Sequence, residues 1–159
     1  MSSDSTTTIY LDTSCAIRMF FNESQEIGCE AQAEKIRKLD RVGYVSSALL
    51  KIEWQSAIRS KRRNGVISGV DHQLILKCWD SFSRQIAFNS ISEEIITSAS
   101  RILTTSKVSG RVRSLDCIHF ATFLYVRTFF PESVLFSADT VVCALAQEAG
   151  VNFFNPLKP

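Results

Sequence analysis

Four carboxylates stand where an ordinary soluble chain has little reason to put them: Asp12, Glu53, Asp116 and Asp139. Asp12 ends the apolar run Ile9-Tyr10-Leu11, and Asp139 follows Val134-Leu135-Phe136 closely. A helical pattern starts after each. Glu53 shares a helix face with Leu49, Leu50 and Ala57, and Asp116 with Phe120 and Phe123, by the i, i+3, i+4 rule. A lone buried carboxylate is costly and either neutralises or finds a partner. For any one of the four, an arginine partner is the plain structural explanation. Gathered in one pocket, four carboxylates repel strongly at low dielectric. A hard divalent cation would remove that repulsion, and an all-oxygen set suits Mg2+ or Mn2+ rather than zinc. Thr13, Ser14 and Ser137 flank the acids, and their hydroxyls can hold a carboxylate or a metal-bound water in place.

Other reactive residues fit their spacing less well. His119 lies one turn after Asp116, but a carboxylate–histidine metal centre between helices wants a second copy of that pair, and the sequence has none. His119 therefore reads as a packing residue or as a support for the acids. Trp54 and Trp79 read as buried aromatics at helical spacing. Ser14 lacks the G-x-S-x-G turn of a hydrolase nucleophile. Cys15 and Cys117 sit beside proposed ligands without a histidine at motif spacing, which gives no support to thiol catalysis.

The elements that must position these acids alternate. Strands are expected at Ile9–Asp12, Gly43–Ser46, Ala87–Ile91, Val134–Phe136 and Val151–Phe154. Helices are expected at Cys15–Phe21, Glu30–Arg41, Ser47 to about Asn64, Val70–Ile86, Ser92 to about Lys107, Leu115–Phe130 and Thr140–Ala149. Ser47 and Ser92 are candidate caps, and Gly65 and Gly150 candidate stops. Such alternation implies a parallel sheet covered on both faces. Ligands of such sheets bind beyond the carboxyl ends of the strands, which is where Asp12 and Asp139 fall.

With 159 residues, one domain is the expectation: a flexible tail over residues 1–8 and a single domain over 9–159. A hydrophobic fraction of 45% suits an ordinary globular chain, and no stretch is apolar enough to span a membrane. The five cysteines form no C-x-x-C pair, which argues against a disulfide framework or a structural zinc and for a cytoplasmic location. Net charge is only +2, so the distribution says more than the sum. Arg59, Lys61, Arg62 and Arg63 cluster, as do Lys107, Arg111 and Arg113. Each cluster is a solvated helix end or, beside an acidic metal site, a set of phosphate contacts.

The stretches IYLDTSCAI, YVSSALLKIEW, RSLDCIHFATF and LFSADTVVCALAQEAGVNFFNP together resemble the PIN domain, most closely the VapC-like toxin ribonucleases. The ordered motifs run from about Ile9 to Pro156, with Ser137 where the family often has threonine. The resemblance implies a three-layer α/β sandwich: a central, mostly parallel twisted sheet with helices on both faces. It implies an acidic site matched here by Asp12, Glu53, Asp116 and Asp139, holding Mg2+ or Mn2+. It implies an endoribonuclease that hydrolyses RNA phosphodiester bonds. On that reading Asp12 and Asp139 are the main ligands, and Asp116 ligates directly or through water. Glu53 ligates or accepts a proton from the attacking water. Arg59, Lys61, Arg62, Arg63, Arg111 and Arg113 would hold the RNA backbone. The family also implies a homodimer and a small antitoxin protein as partner. The apolar stripes of the Glu30–Arg41 and Val70–Ile86 helices are the expected contact faces.

Two other readings use the same residues. One is a catalytically silent PIN-like binding module that keeps the fold. The other is a phosphatase with Asp12 as nucleophile. Ser14 counts against a haloacid-dehalogenase-like phosphatase, which would want a second aspartate at that position.

Overall fold

The computed structural model describes residues 7–21 and 42–158. The expected helix at Glu30–Arg41 lies outside the described residues. Five strands form one sheet: β1 (Thr7–Leu11), β2 (Val42–Ser47), β3 (Ile86–Asn89), β4 (Val134–Phe136) and β5 (Phe153–Phe154). Their order is β3-β2-β1-β4-β5, and every described pairing is parallel. Thr7 and Thr8 belong to β1 rather than to a tail. Six described helices connect and cover the strands: α1 (Thr13–Arg18), α2 (Leu49–Arg63), α3 (Gly69–Ser83), α4 (Glu93–Thr105), α5 (Ser114–Phe129) and α6 (Thr140–Glu148). The result is the expected α/β sandwich with helices on both faces. Among the described residues, no helix is long and apolar enough to cross a membrane.

β1 lies at the centre of the sheet, so both its faces are buried, and its side chains divide by the period of two. Ile9 and Leu11 point into a core shared with Tyr44, Leu50, Trp54 and Ile58, under α1 and α2. Tyr10 points the other way, into Val45, Phe120, Phe123, Leu135, Val142 and Leu145, under α5 and α6. A third cluster, Ile95, Ala99, Cys117 and Ala121, joins α4 to α5. Because the strands are parallel, their carboxyl ends share one edge, and the turns that follow β1, β2 and β4 open there.

Helix ends follow local chemistry. Ser92 caps α4, its Oγ accepting from the Ile95 amide at 3.3 Å. α2 is capped less directly: Ala48 holds the cap position, and Ser47 Oγ accepts from the Leu49 amide instead. Gly65 and Gly150 stop their helices with φ of 72° and 65°, a conformation that glycine adopts without penalty.

α3 differs from expectation in where it ends. It ends at Ser83, and Ile86 opens β3 opposite Tyr44. The stripe of Val70, Leu74 and Cys78 faces outward, with Val70 82% and Leu74 60% exposed. The inward side is Ile75, Trp79 and Phe82. The physical reason is aromatic packing: Trp79 stacks on buried Trp54 with centroids 4.4 Å apart and planes 10° apart, and Phe20 meets both edge-on. That contact outranks the aliphatic stripe.

Trp54→Ala should remove the platform on which α3 rests. Denaturant melts should show a loss of about 3–5 kcal/mol. A loss below about 1 kcal/mol would mean that α3 is held elsewhere.

Candidate functional site

The four acids converge on the carboxyl edge of the sheet, and each arrives on a different element. Asp12 leaves β1 and caps α1; its amide donates to Phe136 O at 2.9 Å, which ties the turn to β4. Its Oδ2 accepts from Ser14 N, Ser14 Oγ and, at 2.8 Å, Ser137 Oγ. Asp139 caps α6, with Oδ1 accepting from the Val141 and Val142 amides at 2.8 and 3.2 Å. Asp116 sits in the first turn of α5, buried, and accepts the Arg113 amide at 2.9 Å. Glu53 reaches in from α2.

Two basic side chains stand among these acids. Arg113 directs Nε to Asp116 Oδ2 at 3.3 Å and Nη2 to Asp116 Oδ1 at 3.2 Å. The same Nη2 lies 3.4 Å from Asp139 Oδ2, so one guanidinium spans two carboxylates. His119 is buried, with Nε2 at 2.6 Å from Glu53 Oε2 and Nδ1 at 3.2 Å from the Tyr10 hydroxyl and 3.8 Å from Asp12 Oδ1. Thr13 Oγ1 donates to the same Glu53 oxygen and lies 3.2 Å from His119 Nε2.

No family model matches this sequence, and no curated protein matches it. Solved structures match in shape. The crystal structure of FitAcB from Neisseria gonorrhoeae contains a chain that superposes with a TM-score of 0.64 at 16% identity, covering 95% of this chain and 99% of that one. A chain of FitAB bound to an IR36 DNA fragment gives 0.65 at 18%, covering 95% and 96%. VapBC-1 from nontypeable Haemophilus influenzae gives 0.62 at 16%, covering 96% and 100%. The fold is PIN-like.

On this PIN-like frame the acidic pocket departs from the sequence expectation. Among the described residues, no three His, Cys, Asp or Glu side chains are grouped so that they could hold a metal ion. This overturns Asp12, Glu53, Asp116 and Asp139 as a Mg2+ or Mn2+ set, and with it the metal-dependent ribonuclease. The physical reason lies in the partners. The repulsion that seemed to call for a cation is countered by Arg113 and His119, while Asp12 Oδ2 accepts from hydroxyls and an amide and Asp139 Oδ1 from two amides. Thr13, Ser14 and Ser137 do support the acids, though as direct partners of Glu53 and Asp12. The structural alternative considered for each acid, an arginine, holds for two of them.

The basic residues separate. Arg113 is exposed and also contacts two of the acids. Lys61 lies with its ammonium 4.6 Å from the centre of the Phe21 ring. Arg59, Arg62, Arg63 and Arg111 are exposed. The sequence reading gave His119 a minor place, yet His119 joins polar groups from four elements. Its signal was the three-residue step from Asp116, which puts both on one face of α5. Tyr10 was legible only as a core residue; it stands two positions before Asp12 and so shares its side of β1.

Titration follows from these contacts. Burial alone would push His119 down, but the hydrogen bond to Glu53 and the charges of Asp12, Glu53 and Asp116 outweigh it and raise its pKa above the ordinary value. Burial would push Glu53 up, but the bond and charge of His119, with Thr13 and Arg113, bring it down. Tyr10 is held well above its ordinary range by burial and then by the charge on Asp12. Burial also lifts the Cys143 thiol to about 11, so it stays protonated.

A raised His119 adds stability that is whole below its ordinary 6.5 and is lost as pH climbs through the folded value. A lowered Glu53 adds stability that is whole above its ordinary 4.5 and is lost as pH falls through the folded value. Both contributions are therefore complete between those two ordinary values. Melting temperature should be highest there, and Glu53→Gln should flatten its decline toward alkaline pH. Parallel curves for parent and variant from pH 5 to pH 9 would show that the pair is not coupled.

Proposed function

We propose that this chain is a PIN-like binding module that docks another protein, with its acidic pocket serving to hold the fold. The observation that carries this reading is the span of Arg113 across Asp116 and Asp139, together with His119 on Glu53. A pocket neutralised from within offers a divalent cation little that its own side chains do not already take. Calorimetric titration of Mn2+ at millimolar concentration should give no saturable heat, and single-stranded RNA incubated with protein and Mn2+ should stay whole. Saturable binding accompanied by cleavage that Asp139→Asn removes would overturn the reading.

Arg59, Arg62, Arg63 and Arg111 are kept as proposed RNA phosphate contacts, in which RNA is held without being cut. If so, neutralising them weakens RNA binding across all sequences and flattens its salt dependence, because fewer counterions are released. Unchanged binding at low salt would remove RNA from the proposal. The free thiols of Cys78, Cys117 and Cys143 support a cytoplasmic setting.

For the protein partner, the outward face of α3 is the proposed dock. Val70 and Leu74 stand exposed beside a groove of about 350 Å3 whose walls include Phe20, Phe21, Val66 and Ile75. Exposed apolar patches of this kind mark interaction sites. The partner implied by the sequence resemblance is a small antitoxin-like protein. FitAB and VapBC2 structures of similar shape are bound to DNA fragments, the latter from "their promoter", which supports a module that works in company. Val70→Asp with Leu74→Asp should abolish co-purification with a co-expressed product of the adjacent gene and leave the melting temperature unchanged. Retained co-purification would place the dock on another face.

A further inference from the structure

α6 and β5 leave a pocket of about 520 Å3 between them, within the range of small-molecule sites. Its first wall is one face of α6: Thr140, then Cys143 and Ala144, then Gln147, stepping by three and four over about 10 Å. The second wall is Phe153 and Phe154 of β5, with Asn155 and Lys158 just after it. Pairing of β5 with β4 sets Phe153 level with Leu135, whose side chain packs on the α6 side of the sheet, and Phe154 level with Phe136. Phe153 therefore stands beside α6, at the edge of the sheet.

The pocket holds groups that the fold does not use. Thr140, Gln147 and Lys158 are exposed, and among the described residues none of their side chains has a hydrogen-bond or ion-pair partner. Phe153 is 37% exposed and, among the described residues, packs on no other ring, whereas Phe154 lies 4.9 Å from Phe136. The seat of Lys158 is built by a buried residue. Asn155 Oδ1 accepts from the Leu157 amide at 2.8 Å, and Asn155 O accepts from the Lys158 amide at 3.1 Å. That turn returns Lys158 to the pocket wall. The acids next to the lining are engaged elsewhere. Asp139 caps α6 and faces Arg113, and Glu148 accepts from Ser106 Oγ and the Lys107 amide, both at 2.7 Å. Among the described residues the lining contains no carboxylate, so Lys158 sets its charge.

We propose that this pocket binds a nucleoside monophosphate, with the base on the Phe153 ring, the base edge at Gln147 and the phosphate at Lys158. Each part answers a group that the fold leaves free. An exposed ring offers its face to any base. A carboxamide presents both donors and an acceptor, the combination that adenine matches. An ammonium meets phosphate as a point charge. A purely apolar ligand would leave the amide and the ammonium unpaired, and a simple inorganic anion would leave the ring bare. The phosphate goes to Lys158 and not to the start of α6, because Asp139 already takes up the Val141 and Val142 amides there. Thr140 follows Asp139 directly, so the pocket adjoins the acidic edge. A free nucleotide and one unit of a single strand present the same chemistry to it. The inference does not depend on the arginine contacts of α2, which lies across the sheet from α6.

The test is calorimetric titration of the full chain, in buffer with a chelator, using AMP, adenosine and single-stranded hexa-adenylate as probes. AMP should bind saturably at millimolar concentration or below. Phe153→Leu keeps an apolar side chain and removes the ring; it should weaken AMP binding by about fivefold or more. Lys158→Gln should weaken AMP by about threefold or more at low salt and leave adenosine unchanged, a split that a damaged fold would not give. Neutralising Arg59, Arg62 and Arg63 should leave AMP binding unchanged, so this inference and those RNA contacts fail separately. Hexa-adenylate that binds more tightly than AMP, and weakens in both pocket variants, makes the ligand one unit of a strand. Hexa-adenylate that binds no more tightly makes it a free nucleotide. Absence of saturable AMP binding would overturn the proposal. So would AMP binding that ignores both Phe153→Leu and Lys158→Gln, since the nucleotide would then sit elsewhere.

Discussion

One guanidinium decides the character of this molecule. Arg113 sits just before α5 and reaches two carboxylates that belong to different parts of the chain: Asp116 on its own helix and Asp139 after β4. Without a cation between them, the capping carboxylate of α6 and the first turn of α5 would repel across the sheet edge. With it, the start of α5 and the start of α6 are joined. The pair is partly screened, since Arg113 is 62% exposed, so its value lies less in bulk stability than in fixing which charges face each other.

The rest of the pocket follows the same logic with a different basic side chain. His119 is buried between Glu53, Tyr10 and Asp12, and its hydrogen bond to Glu53 with the charges of Asp12, Glu53 and Asp116 raises its pKa against the effect of burial. A buried carboxylate answered by a buried base is costly to assemble and more costly to break. Once both bases are in place, each acid has its hydrogen bonds, and the convergence of four acids no longer requires a metal ion.

Much of the fold was legible because the sheet imposes strict patterns. The alternation of Ile9, Tyr10 and Leu11 gave a central strand with two buried faces, and the aspartates after β1 and β4 marked the edge where the turns open. On α3 the outward stripe was legible, but the inward side and the helix end were not, because two stripes compete on it. Val70, Leu74 and Cys78 recur at helical spacing, but the partner that turns the helix is Trp54, twenty-five residues before Trp79, and no local period reports it. The site was legible as a place and illegible as chemistry. Residue types placed the four acids at one sheet edge, but repulsion alone does not name its remedy. Arg113 looked like part of a surface cluster and His119 like packing; only three-dimensional geometry shows that the exposed Arg113 and the buried His119 both reach the acids.

The charge state of His119 tests this account most directly. Its ring protons can be followed by NMR across pH, with and without Mg2+ in millimolar excess. Internal neutralisation predicts a pKa above 6.5 that Mg2+ leaves unmoved, because the carboxylates that hold the proton are not shared with an ion. A pKa that falls when Mg2+ is added, or one already below 6.5 without it, would mean that the acids answer to a metal and that the pocket is not closed from within.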